Sequence, residues 1–137
     1  MAYTDKTYFL TKIKEDDLNE LLKDSAGAVQ DAYLTDAVKA ADNLINGYLK
    51  TVTTDVPLST VPESIKQCSY YIASYYLYDR ISFNDIPDRI QANYKMQLDY
   101  LKDIAAGKVT IIDIPEESQN TQVVYNVDTN LIDRNAF

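Results

Sequence analysis

The sequence predicts an all-α fold: about five helices, two short and three long, followed by an extended C-terminal arm with room for short β-strands. Three observations carry this reading. Apolar residues recur at steps of three and four through three long stretches between residues 28 and 106. Good helix-start chemistry precedes several of those stretches. The β-prone residues gather beyond Gly107, after the last helical pattern. The predicted organisation is a helical domain over residues 1–112 and an arm over residues 113–137.

The elements follow in order. Thr4 and Asp5 are good N-caps for a short helix over Lys6 to Ile13, with Tyr3 placed to staple onto Tyr8. A second short helix runs from about Asp16 to Lys23. Its acidic start (Glu15, Asp16, Asp17) suits the positive end of the helix dipole, and Leu18, Leu21 and Leu22 make one apolar side. Asp24 to Gly27 reads as a loop. The longest helix, about Ala28 to Val52, carries Val29, Tyr33, Ala37, Ala41, Leu44, Ile45, Tyr48, Leu49 and Val52 at helical spacing. Gly47 inside it points to a close contact or a bend there.

Thr60-Val61-Pro62-Glu63 offers a hydroxyl cap, a first-turn proline and a reciprocal acid, and Asp85-Ile86-Pro87-Asp88 repeats that grammar. Helix four is predicted from about Val61 to Arg80, and helix five from about Ile86 to Ala106, with Gly107 as its stop. Ile90, Tyr94, Leu98, Leu101 and Ala105 form the expected inward stripe of helix five. The expected core comprises Leu44, Ile45, Leu49, Ile65, Ile72, Leu98 and Leu101. Val109 to Ile112 and Gln122 to Val127 are β-prone, separated by Pro115 and a polar run.

Composition excludes several function classes. The chain has 137 residues, 46% of them hydrophobic, enough to bury a core without a metal or disulfide staple. Cys68 is alone, which suits a buried thiol in a reducing compartment. No basic-then-apolar leader and no membrane-spanning run is expected. The net charge of −8 and the lack of a Lys/Arg cluster argue against gripping phosphates. An acidic surface can still lie beside DNA and let it slide past.

Histidine is absent, which removes the usual general base and the commonest metal ligand. Gly27, Gly47 and Gly107 are isolated, so no phosphate-cradling glycine loop exists. No catalytic residue, metal ligand or cofactor is predicted. Glu15, Asp16 and Asp17, and Glu116 and Glu117, read as solvated faces. Asp24 to Gly27 has a faint look of a calcium loop but lacks the alternating acids and the terminal Glu. A carboxylate-based enzyme or metal binder would need these acids to converge.

Two features point instead to assembly. The arm is too short to fold alone, yet carries Val123, Val124, Tyr125, Val127, Leu131, Ile132 and Phe137. The chain has 12 tyrosines, and helix four alone carries Tyr70, Tyr71, Tyr75, Tyr76 and Tyr78. Neighbours on a helix point about 100° apart, so these rings cannot share one face. Ile65, Cys68, Ile72, Tyr75 and Tyr76 can pack inward; Tyr70, Tyr71 and Tyr78 then look partly elsewhere, toward a partner or toward the rest of the bundle. Arg80 ends the helix where a cation suits the dipole, and can pair with Asp36 or Asp42.

Met1-Ala2-Tyr3 with a short helix, a Leu-rich acidic second helix, and Ala41-Asp42-Asn43-Leu44-Ile45-Asn46-Gly47-Tyr48-Leu49 open an order of motifs that is similar to the Mu-type phage head–tail connector (adaptor or head-completion) protein family. Pro57-Leu58-Ser59-Thr60-Val61-Pro62 and Tyr75-Tyr76-Leu77-Tyr78-Asp79-Arg80 follow. Then come Tyr94 to Leu101, Ile104-Ala105-Ala106-Gly107-Lys108-Val109, and the terminal Asp133-Arg134-Asn135-Ala136-Phe137. The connection after Leu49 lacks the family's arginine and aromatic, and Gln119 to Asn130 has no counterpart.

The resemblance implies a structural virion protein of a tailed phage. It implies a homo-oligomeric ring, with a dodecamer among the stoichiometries, that joins the portal protein to a tail or stopper protein. Double-stranded DNA would pass through the channel without specific binding, and no membrane is involved. Such a protein is made in the host bacterial cytoplasm and resides at the head–tail junction. The arm residues named above, with Tyr70, Tyr71 and Tyr78, are the expected partner contacts. The competing reading is a small non-catalytic interaction module that binds a partner through its tyrosine-rich helix.

Overall fold

A computed structural model describes residues 2–81 and 86–110 of the chain. Five helices occupy them: α1 (Lys6–Leu10), α2 (Glu15–Leu21), α3 (Asp31–Leu49), α4 (Glu63–Ile81) and α5 (Asp88–Ala105). No strand occurs among the described residues. The all-α expectation is met. The strand expected over Gln122 to Val127 lies outside the described residues, as do Ile111 and Ile112 of the β-prone Val109 to Ile112 and the whole arm 113–137; Val109 and Thr110 are described and form no strand.

The three long helices build the body: α4 lies between α3 and α5, and α3 also touches α5. The two short helices pack on each other, and α2 reaches α4. Of the expected core, Ile45, Leu49, Ile65, Ile72 and Leu101 are fully buried. Leu44 and Leu98 are only half-buried, because each sits on the flank of its helix. Leu34, Val38 and Ile104 are buried in addition. Of the stripe expected on α3, Ala37, Ala41, Ile45, Leu49 and the following Val52 are buried, with Leu34, Val38 and Asp42 beside them; Tyr33, Leu44 and Tyr48 are half-buried and Val29 stays exposed.

Helix ends follow local chemistry, with adjustments: α1 ends three residues before the expected Ile13, and α3 is three residues shorter at each end than the expected Ala28 to Val52. Asp5 caps α1 by accepting the Tyr8 N–H at 2.9 Å. At α4 and α5 the starts fall two residues later than expected. Pro62 precedes the first residue of α4, and its carbonyl accepts from Ile65 and Lys66; Pro87 occupies the cap of α5, and its carbonyl accepts from Ile90 and Gln91. A proline has no N–H to lose and a preset φ, so the chain enters the helix directly after it. The expected Asp85 cap lies outside the described residues.

Gly107 stops α5 as expected. Its φ of +79°, with Lys108 N–H on the Asp103 carbonyl and Gly107 N–H on the Ile104 carbonyl, makes a Schellman turn. Gly47 differs from expectation: it is exposed, and a Cβ there would meet nothing within 4 Å. The peptide before Pro57 is cis.

A buried polar cluster joins the N-terminal segment to the body. The Tyr3 N–H donates to Asp42 Oδ2 at 2.8 Å, and Ser69 Oγ donates to Asp42 Oδ1 at 2.7 Å. Ser69 has one proton, spent on Asp42, so Thr4 Oγ1 donates to Ser69 Oγ at 2.9 Å. The Tyr3 hydroxyl bonds Asn46 and accepts the Leu58 N–H at 2.9 Å. Tyr3, expected to staple onto Tyr8, is thus held to α3 and to the α3–α4 connection. Burial raises the Asp42 carboxyl above its ordinary pKa, against the opposing pull of the Tyr3 and Ser69 hydrogen bonds.

Candidate docking groove

Helix α4 is enclosed on most sides. Ile65, Cys68, Ser69, Tyr70, Ile72, Ala73, Ser74 and Leu77 are all buried, which needs neighbours around much of its circumference. Its tyrosines divide between two of those neighbours. Tyr70 packs edge-on against Phe9 (4.8 Å between ring centroids), Tyr71 (5.0 Å) and Tyr8 (6.2 Å). Tyr75 stacks on Tyr94 of α5 at 4.0 Å with an interplanar angle of 11°, and Tyr76 lies beside the same ring at 6.2 Å.

This division corrects the expected orientation of Tyr70. It is 8% exposed and belongs to the core, because α1 folds its Phe9 over that face of α4. Tyr71 and Tyr78 are half-buried, and so are Tyr75 and Tyr76, which were expected to point inward. Burial raises the phenol of Tyr70, opposed by a hydrogen bond from Ser74 and the nearby Arg89 charge. Burial beside Tyr94 pushes Tyr76 up to about 12. Tyr8 is raised by burial and by its own hydrogen bond to Glu63 Oε2 at 2.6 Å. These phenols remain protonated at neutral pH, suited to packing and hydrogen bonding.

Tyr70, Ser74 and Tyr78 are one helical turn apart, so they share a face. That face lines a groove of about 330 Å³ with Ile13, Leu21, Ile81 and Ile90. Asp17 and Glu20 of α2 stand on one side of it, and Arg89 of α5 on the other. Two of the three tyrosines expected to contact a partner therefore converge on one apolar groove with charges of both signs beside it. Tyr71 is not among its lining residues. A second, more open cleft of about 570 Å³ lies over the N-terminal segment, lined by hydroxyls of Thr4, Thr7, Tyr8, Thr11 and Ser59 and by Lys66.

Asp24 accepts from the Ala26 and Ala28 N–H groups at 2.9 and 3.0 Å and from Gln30 Nε2 at 2.9 Å. These bonds hold its carboxyl below the usual carboxylate range, the Ala28 bond first among them. With Gly27 at φ +85°, Asp24 organises the turn between α2 and α3. Glu15, Asp16 and Asp17 are exposed on the first turn of α2. Among the described residues, no group of three or more His, Cys, Asp or Glu could hold a metal ion, and no helix is long and apolar enough to cross a membrane.

Arg80 pairs with neither Asp36 nor Asp42. It donates to the carbonyls of Leu21 (2.7 Å) and Lys23 (3.0 Å) at the end of α2, and its guanidinium lies 4.0 Å from the Tyr33 ring centroid. A cation there meets both the unsatisfied carbonyls of a helix C-terminus and an aromatic face. Asp42 is taken by Tyr3 and Ser69. Cys68 is buried, donates to Gln97 Oε1 at 3.2 Å, and has its thiol pushed up to about 12 by burial.

The other expected contact residues, Val123, Val124, Tyr125, Val127, Leu131, Ile132 and Phe137, lie outside the described residues. No curated protein matches the chain. A family model described as Bacteriophage Mu, Gp36 matches residues 3–127, from the buried Tyr3 through all five helices and into the arm as far as Val127. On that match, the chain belongs to the bacteriophage Mu Gp36 family.

Proposed function

We infer that this phage protein is a structural, non-catalytic component of the virion: an adaptor, or head-completion protein, that forms a ring between portal and tail. The observation that carries this reading is the family match, which runs through the helical body and into the apolar arm. Three further features support it. Identical subunits close a ring through heterologous contacts, where one surface meets a different surface on the next copy. An apolar arm is one half of such a contact, and a groove on the body is a suitable other half. The net charge of −8 would keep passing DNA from adhering to a channel wall. A chain without histidine suits a mechanical role that asks for no proton transfer.

In this reading the rigid body of α3, α4 and α5 sets the shape of the subunit, and the arm ties it to the portal or to the next copy. The test is to image the protein in the particle, or bound to its portal. Density for a ring of copies around the channel is the expected result. A chain that stays monomeric at high concentration, ignores the portal and captures one different protein in a one-to-one complex would replace the adaptor with an interaction module.

A further inference from the structure

We propose that the groove between α2, α4 and α5 receives the last residues of the arm, 129–137, from a neighbouring copy of this chain. The inference rests on the adaptor reading, since a ring supplies the neighbour. The groove is apolar where Ile13, Ile81, Ile90 and Tyr78 line it, and carries Asp17 and Glu20 on one side and Arg89 on the other. The end of the arm has the matching order of chemistry. Leu131 and Ile132 supply adjacent aliphatic side chains, followed at once by Asp133 and Arg134. Arg134 is the only cation after Lys108 in the sequence, where residues 111–137 hold five acids. A segment so acidic is repelled by an acidic rim unless its one positive charge is brought there, so Arg134 toward Asp17 and Glu20, with Asp133 toward Arg89, fixes the polarity of docking.

Chain length allows it. The arm leaves from the C-terminal end of α5, whereas Ile90 lies in its first turn, about 24 Å away along the helix at 1.5 Å per residue. Residues 111–128 span up to about 60 Å when extended. At more than twice that distance, the tether is long enough to leave its own body for the groove of an adjacent subunit. The pattern is the exchange of one unlike surface for another that closes a ring.

The test is disulfide trapping between two full-length single variants, Asp17→Cys beside the groove and Asn135→Cys in the arm. Cys68 stays in place because it is buried. Mixed under mild oxidation, the two are expected to form a covalent heterodimer about tenfold faster than Asn135→Cys does with Lys39→Cys, on the exposed outer face of α3, because docking raises the local concentration of the partner thiol. Tyr78→Ala, with its helical signal intact by circular dichroism, should abolish that advantage. Equal rates at Asp17 and Lys39 would overturn the proposal. So would a chain carrying both cysteines that closes on itself at every dilution, since the arm would then serve its own groove. A protein that sits at the head–tail junction without trapping refutes this docking alone; trapping without a place in the particle refutes the adaptor reading alone.

Discussion

Two buried side chains show how single groups set the behaviour of this body. Asp42 accepts from Tyr3 and Ser69 in a site closed to water. Asp42→Ala leaves both donors without a partner, and a loss of about 2–3 kcal/mol in unfolding free energy is expected by urea titration. The pH dependence has a definite sign. Because burial raises the folded-state pKa, the folded protein holds this proton more tightly than the unfolded chain. The contribution of Asp42 is therefore full below the ordinary carboxylate pKa of 3.8 and is lost as pH rises through the raised value. The stability of wild type relative to Asp42→Asn, which does not titrate at this site, should accordingly fall as pH rises; a wild type that gains on the variant with rising pH would contradict the burial argument.

Cys68 gives the second case. A thiol moved from 9.0 to about 12 has about a thousandfold less thiolate at a given pH, so alkylation of the folded protein should be slow and should accelerate on unfolding. A simple thiol reagent followed by mass spectrometry reads this directly. The burial of Cys68 was legible in the sequence, whereas the surroundings of Asp42 were not. Asp42 was expected at most to pair with Arg80, and its actual partners are 39 and 27 residues away.

Helices were the most legible level, since their periodicity and stops are local. All five were expected, and Asp5 and Gly107 act as the sequence suggests. The two glycines of α3 and α5 separate local from tertiary causes. Gly107 needs its positive φ, so Gly107→Ala should cost about 1–2 kcal/mol through strain at the Schellman turn. Gly47 lies in a helix with open space where a Cβ would go, so Gly47→Ala should stabilise by about 1 kcal/mol. Opposite shifts in melting temperature are expected, and a loss at Gly47 would mean that a neighbour needs that gap. Helix α4 was the least legible element in its facing. Its apolar residues and tyrosines are spread around the circumference, so periodicity alone does not say which rings turn inward. The packing of α1 through Phe9, and of α5 through Tyr94, decides that.

At the scale of the whole molecule, the body has its own core of α3, α4 and α5, with the N-terminal segment bound into it. Removing residues 118–137 should leave that core intact, giving a folded monomer that assembles poorly. Circular dichroism with light scattering tests both halves of the statement: a collapse of helical signal on truncation would show that the arm belongs to the core. The expected core was read well for α3 and α4 and less well for α5. That helix lies against α4 on one side and buries only Ile90, Leu101 and Ile104 completely, so Leu98 of its stripe remains at the edge.

What the amino-acid order settled by itself is what depends on neighbours in sequence. The helical class, the approximate helix limits, the glycine stop and the acidic, histidine-free character that turns attention from catalysis to assembly are of this kind. Tertiary packing alone decided which faces close on each other: the burial of Tyr70 under α1, the Asp42 cluster, the capture of the α2 carbonyls by Arg80, and the groove where Tyr70 and Tyr78 meet α2 and α5. The reason is physical. A helix forms from bonds between residues four apart, whereas a groove exists only where three helices distant in the chain stop short of filling the space between them.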